Sequence, residues 1–163
     1  MRIGLIADTH GFVGDDVLAA LDGADHILHA GDVGEGVLAQ LSGVAGVTAV
    51  RGNNDAEGEA SRLPEVAFVD MAGYRIAVVH RLIDAPAPPW DLLVFGHCHK
   101  MHDYSIDGRR YVNPGAAGRR GFHRTRSMAV LHLEQGRPRV EFVELGLRAA
   151  GPRTASSTSA MLV

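Results

Sequence analysis

A chain of 163 residues, 46% hydrophobic and 21% charged, has the makeup of a soluble globular domain with enough length to bury a core. Its net charge of −3 offers no global basic field to nucleic acid, which leaves only a local basic patch around Arg119, Arg120, Arg124 and Arg126 as an option. No apolar run approaches the ~20 residues of a membrane span, Ile3–Ala7 is too short for a secretory leader, and the single Cys98 excludes an internal disulfide framework, so a cytoplasmic protein is expected.

The first half alternates. Arg2–Ala7 reads as a buried strand, followed by a loop and a short helix around Asp15–Leu21. A strand over His26–Ala30 leads to a helix near Glu35–Leu41, and a third strand over Gly46–Val50 follows. This βαβαβ order implies a parallel sheet. The second half is richer in strands. Val66–Met71 and Arg75–His80 flank Ala72-Gly73, a hairpin signal. Ala85–Pro89 has too much proline for a helix interior and reads as an extended connector. Leu92–Phe95 is a short, fully apolar strand. Asp107-Gly108, between Met101–Ile106 and Arg109–Val112, is a type I′ turn signal. Met128–Leu133 and Val140–Leu145 are joined by a Gln135-Gly136 turn. The expected fold is α/β, with two packed mixed β-sheets flanked by helices in an αββα sandwich. A single domain is expected over residues 1–147, with a C-terminal tail over 148–163. From Gly151 onward, Gly, Pro, Ser, Thr and Ala give that tail a flexible composition.

Most of the apolar runs end in metal-binding side chains, at the end of the strand where open α/β sheets build their sites. Asp8 and His10, two residues apart, would point the same way in an extended segment. A carboxylate with an imidazole suits Mn²⁺, Fe²⁺ or Zn²⁺, whereas helix capping is the ordinary job of such an aspartate. Asp32, after Gly31, has the same two readings, cap or carboxylate bridging two ions. Gly52-Asn53-Asn54-Asp55 closes the third strand. Here Asn53 can offer its amide oxygen to a metal and Asn54 can donate to a phosphate, where an isolated Asn-Asn would be only a turn. His97 and His99 flank Cys98 after Gly96. Two such imidazoles need partners if buried, which favours ligands over surface histidines. His80 closes its strand in the same manner. Cys98 alternates away from the pair and reads as a small buried filler. His26, His29 and His132 read as structural, while His102 and His123 lie near the candidate site without being ligands.

In this order the segments resemble the calcineurin-like metallophosphoesterase superfamily. Its pattern runs Asp-x-His, Gly-Asp, Gly-Asn-x-Asp/Glu, His and Gly-His-x-His, and all five blocks occur between residues 8 and 99. Asn113-Pro114-Gly115, an arginine-containing loop and a closing hairpin are similar to the small phosphodiesterases of the YfcE type. The resemblance implies one metal on Asp8, His10, Asp32 and His99, and a second on Asp32, Asn53, His80 and His97. Asp32 would bridge them. The implied cofactors are two divalent ions, Mn²⁺ first, with Fe, Ni or Zn as alternatives. A metal-bridging hydroxide would hydrolyse a small phosphodiester. Asn54 would be catalytic and substrate-binding, and Arg81, Arg119 and Arg120 would contact substrate. Asn54 stands where larger relatives carry a histidine that assists the leaving group. An amide cannot be a general acid, so good leaving groups should react best. Arg81 and Leu82 follow His80 where relatives often have Gly and His, and the proline-rich connector is short. Arg81 has a second reading as a surface partner of Asp84. No membrane or nucleic-acid partner is implied, and a homo-oligomer is left open. The same fold also serves as a non-catalytic Vps29-like scaffold and in phosphomonoesterases, which stand as alternatives.

Overall fold

The computed structural model describes residues 1–119, 125–134 and 136–146. Arg120, His123, Arg124, Gln135 and the tail from 148 onward therefore lie outside the described residues. The elements follow the expected order: β1 (Arg2–Ile6), α1 (Asp15–Ala20), β2 (His26–His29), α2 (Val37–Ser42), β3 (Gly46–Ala49), β4 (Val66–Met71), β5 (Tyr74–Val79), β6 (Leu92–Val94), β7 (Met101–Ile106), β8 (Arg109–Pro114), β9 (Arg126–His132) and β10 (Arg139–Leu145).

They form two mixed five-stranded sheets, ordered β10-β9-β1-β2-β3 and β4-β5-β6-β8-β7. In the first, β1, β2 and β3 run parallel, with Leu5 opposite Leu28 and Leu28 opposite Thr48. Strand β9 pairs antiparallel with β1. In the second, β6 lies parallel to both β5 and β8, and the hairpins β4–β5 and β7–β8 close the edges. The inner parallel strands β1, β2 and β6 are buried on both faces, as such strands must be when both sides are covered, whereas β3 at the sheet edge is partly exposed. Ile3, Leu5 and Leu28 from the first sheet meet Ile76, Val78, Leu92 and Val94 from the second in the central core. Alternation sends Ala77, Val79 and Leu93 to the opposite face of the second sheet, under Trp90.

The sandwich matches expectation, and its helices are few. Both α-helices pack on the outer face of the first sheet, where Val17, Leu21, Val37 and Leu41 cover Ile6 and Ile27. On the outer face of the second sheet, Trp90, Tyr104 and Tyr111 make the cover, with the two tyrosine rings stacked at 5.1 Å. The proline-rich connector before β6 leaves no room for a helix there. Helix α2 starts two residues later than its sequence pattern suggests, because Gly34 and Gly36 adopt left-handed conformations at φ 76° and 77°. Among the described residues no helix is long and apolar enough to cross a membrane.

Candidate metal centre

The loops that leave β1, β2, β3, β5 and β6 gather on one rim of the sandwich. Backbone hydrogen bonds tie them together: Asp8 N–H donates to Gly31 O at 3.0 Å, His10 N–H to Asp32 O at 3.0 Å, and Gly96 N–H to His80 O at 2.9 Å. Bonds also cross between the sheets, from His97 N–H to Asp8 Oδ2 at 3.0 Å and between His80 Nδ1 and Ala30 O at 2.7 Å. The candidate ligands thus sit on backbone that is itself hydrogen-bonded.

All seven candidates come together. Ligand atoms of Asp8, His10 and His99 lie within 4.8 Å of one another, as do those of Asp8, Asp32 and His80. His99 Nε2 is 3.2 Å from Asp8 Oδ1, and His10 Nε2 is 3.7 Å from Asp32 Oδ2. Asp32 Oδ2 also lies 3.4 Å from His80 Nε2. The amide oxygen of Asn53 is 2.9 Å from His80 Nε2 and 3.1 Å from His97 Nδ1. Asp32 therefore stands between a group containing His10 and a group containing His80. The capping readings of Asp8 and Asp32 fail, because α1 and α2 begin after Gly14 and Gly36.

The backbone differs from the extended segment expected around Asp8 and His10. Asp8, His10, Asp32, His97 and His99 have φ of 53°, 46°, 53°, 70° and 60°. Each such non-glycine residue costs roughly 1–3 kcal/mol, and strain of this kind collects at functional sites. The other described non-glycine residues at positive φ, Ala72 and Asp107, occupy hairpin turns. The motif glycines have a separate reason. A Cβ on Gly52 would lie 2.1 Å from Asp32 Oδ1, and one on Gly31 would lie 2.7 Å from His80 Nδ1. Glycine precedes these ligand-bearing turns because neighbouring ligands already fill the space.

The electrostatics are those of three buried groups, Asp8, Asp32 and His80, at the floor of a crowded site. Burial pushes the Asp8 carboxyl up to about 7; His80 opposes that rise and Asp32 adds to it. Burial also opposes ionisation of Asp32, but the His80 ring and the N–H and amide of Asn54 outweigh it and hold that carboxyl well below the usual range. Asn54 donates twice, from N to Asp32 Oδ1 and from Nδ2 to Oδ2, both at 2.8 Å. Burial likewise disfavours charge on His80, yet Asp32 and the Ala30 carbonyl raise its pKa overall. Asp8 Oδ1 is buried without a hydrogen-bond partner. An orphaned carboxylate oxygen beside imidazoles and a second carboxylate fits a divalent cation, and the donor set of oxygen and nitrogen without thiolate suits a hard or borderline ion.

This gives a proton-linkage prediction. A ligating Asp8 must be ionised, but the metal-free carboxyl titrates near 7. Cation binding should therefore release close to one proton from Asp8 at pH 6 and little at pH 8. Calorimetry in buffers of different ionisation enthalpy reads the total release, and its difference from an Asp8→Asn variant gives the part due to Asp8. Below pH 7, apparent affinity should fall by about tenfold per unit from this group alone. Proton release that does not change between pH 6 and 8 would remove Asp8 from the ligand set.

The family model of the calcineurin-like phosphoesterase superfamily domain matches residues 1–136. The chain belongs to this superfamily. It is 29% identical over 154 residues to a probable metallophosphoesterase of Mycoplasma pneumoniae, covering 83% of this chain and 92% of that protein. Among solved structures, wild-type Vps29 of Entamoeba histolytica complexed with zinc matches with a TM-score of 0.67 at 20% identity, over 88% of this chain and 99% of that one. A structure described as a novel archaeal phosphodiesterase matches with a TM-score of 0.66 at 20% identity, over 88% and 100% of the two chains. At such identities the likeness is one of fold, the same α/β sandwich. The superfamily is one of phosphoesterases that bind divalent metals, and the rim described above carries the candidate ligands for them.

Other superfamily motif positions are structural. Asp55 ends the Gly52–Asp55 block with a buried carboxylate that accepts three backbone N–H groups. These come from Val33 at 3.0 Å, Gly34 at 3.0 Å and Gly52 at 2.8 Å. It ties the loop of Asp32 to the loop of Asn53. Asn113 is fully buried; its Nδ2 donates to Gly96 O at 2.8 Å and to Cys98 Sγ at 3.2 Å, so it braces the His97–His99 loop. The buried ring of His29, driven down to about 3 by desolvation, contacts Thr9 Oγ1 at 2.9 Å, and Thr9 donates to Val33 O. Two sequence expectations are corrected. Cys98 is exposed rather than buried, because the left-handed turns at His97 and His99 break strand alternation. Arg126 is not part of an open basic patch, since it pairs with Asp16 at 2.8 Å and donates to Ala117 O at 2.9 Å. Arg119 is exposed, with its guanidinium 4.4 Å over the Phe12 ring, next to the loop of His10. Arg81 takes its surface reading, with Nε donating to Asp84 Oδ2 at 2.8 Å. His102 stacks on Phe95 with ring centroids 6.3 Å apart.

Proposed function

We propose that this protein is a phosphodiesterase that works with two divalent ions. Asp8, His10, Asp32 and His99 would hold one ion, and Asp32, Asn53, His80 and His97 the other. The observation that carries this reading is the buried Asp8 Oδ1, which accepts no hydrogen bond and has the His99 imidazole 3.2 Å away, at the centre of a strained cluster of imidazoles and carboxylates. Bound divalent ions would supply Lewis acidity and a water acidic enough to react near neutral pH. The zinc bound by Entamoeba Vps29 makes zinc as well as Mn²⁺ a fitting ion.

The chain's own groups do the rest. Asn54 holds Asp32 ionised and oriented, and no imidazole occupies its place to protonate a leaving group. A cleft of about 410 Å³ opens beside the cluster, lined by Arg51, Asn53, Glu65, His80, Arg81 and Asp84 among others. Its arginines are each matched by a carboxylate, Arg51 by Glu65 at 2.7 Å and Arg81 by Asp84 at 2.8 Å. A cleft with balanced charge suits a monoanionic diester better than a dianionic monoester. In this reading Arg81 turns from Asp84 to a phosphate oxygen, a geometry that guanidinium forms well. Arg119 would approach the phosphate from the side of the His10 loop, and Arg120 is assigned with it.

Metal-free protein should be titrated with Mn²⁺ or Zn²⁺ and assayed on bis(p-nitrophenyl) phosphate and p-nitrophenyl phosphate. The expected result is metal-dependent turnover that favours the diester, with rates falling steeply as the leaving group becomes a poorer one. Preference for the monoester would establish a phosphomonoesterase. Full metal loading without turnover of either would favour a scaffold, the role named among the alternatives for Vps29-like chains.

A further inference from the structure

A second pocket, of about 310 Å³, adjoins the ligand cluster. Leu82, Phe95, Cys98, His102 and Tyr104 line it with His97, which it shares with the cluster. Its walls differ in kind from those of the polar cleft. Phe95 and His102 lie nearly parallel, with 14° between their planes, and Tyr104 meets His102 edge-on at 85°. Leu82, on the 3₁₀ turn Leu82–Asp84, is 40% exposed and forms the outer wall. Arg81, one residue earlier, lines the polar cleft. The turn is therefore a ridge between a polar and an apolar chamber, both of which reach the candidate metal ligands. The apolar chamber falls within the roughly 300–1,000 Å³ of small-molecule sites. Flat walls of aromatic rings suit a flat ring in offset or edge contact.

We propose that the apolar pocket takes an aromatic ring carried by the phosphoester, so that the substrate is an aryl or nucleoside ester and not a simple alkyl or headgroup diester. This rests on the phosphoesterase reading of the adjoining cluster, which supplies the anchor for the phosphate. The ring adds affinity by leaving water, and Leu82 closes over it.

Binding without turnover tests this. Metal-loaded protein should be titrated calorimetrically with phenylphosphonate and with methylphosphonate. The phenyl compound should bind about tenfold more tightly. Leu82→Asn, an uncharged polar change on an exposed turn, should reduce that ratio to about twofold or less, with methylphosphonate binding and metal content unchanged. Tyr104→Ala should erode the ratio in the same direction. Adenosine 5′-monophosphate against ribose 5-phosphate forms a second pair. A ring preference in the first pair alone assigns an aryl ester, and one in the second assigns a nucleotide. Equal affinities within both pairs in the wild-type protein would overturn the pocket while leaving the phosphoesterase reading intact. So would a Leu82→Asn variant that weakens both members of a pair equally. Failure of every phosphate and phosphonate to bind loaded protein would overturn the phosphoesterase reading, and this proposal with it.

Discussion

Asp32→Asn is expected to lower metal affinity by at least about a hundredfold and to reduce turnover to near background. Asp32 is 2% exposed and stands between His10 and His80, at 3.7 and 3.4 Å. The substitution keeps the shape of the side chain but removes the negative charge that the two proposed cations would require. It also sets an NH₂ group against Asn54, whose N–H and Nδ2 both donate to the present carboxylate. One of those donors is left without an acceptor. The fold should survive, because the change conserves volume and leaves the sandwich core untouched. Metal content after dialysis, titration calorimetry and circular dichroism together check this. A variant that retains two tightly bound ions would show that Asp32 is not the shared ligand.

The fold was legible from alternation and turn chemistry. Val66–Met71, Ala72-Gly73 and Asp107-Gly108 lie where period-two patterning and hairpin residues put them. Pairing order was less legible. Nothing local says that β9 enters between β1 and β10, or that β8 separates β6 from β7. Both arrangements arise from long-range closure of the sandwich. Candidate ligands were legible because the blocks that carry them follow apolar runs in most cases. Their backbone was not, since the left-handed turns at Asp8 and Asp32 are maintained by hydrogen bonds between loops far apart in sequence. The same reason hid Cys98, whose exposure follows from two such turns, and Arg126, whose partner Asp16 lies 110 residues away. Asn54 stood out as a phosphate donor because of its position in the motif. The Asp32 carboxylate that it grips became visible only once the β2 and β3 loops were side by side.

Asp55 yields the largest expected effect on stability. Its motif position gave no sign of this, because carboxylates in turns commonly cap nearby N–H groups at the surface. Here the carboxylate is 4% exposed and accepts from Val33, Gly34 and Gly52. Asp55→Ala leaves three donors facing the buried space that the carboxylate filled. Hydrogen bonds to a charged group contribute about 1.5–3 kcal/mol each, and bonds sharing one acceptor do not add in full. A loss of roughly 3–5 kcal/mol is therefore expected, or a fall in Tm of about 10 °C or more for a chain of this size. Asp55→Asn keeps one acceptor oxygen and should lose about half as much. Thermal unfolding of metal-free protein reads the structural part. The metal-loaded protein reads a second part, because Val33 and Gly34 follow Asp32 directly and Gly52 precedes Asn53. Freeing those loops should weaken metal binding by about tenfold to a hundredfold even when the protein is kept folded at low temperature. Asp32→Asn and Asp55→Ala then separate cleanly. The first loses metal from a folded protein, whereas the second loses fold stability and regains part of it when metal is supplied in excess. An Asp55→Ala protein that melts within about 2 °C of wild type would mean that water replaces the carboxylate at all three N–H groups, and that the two loops hold their positions without it.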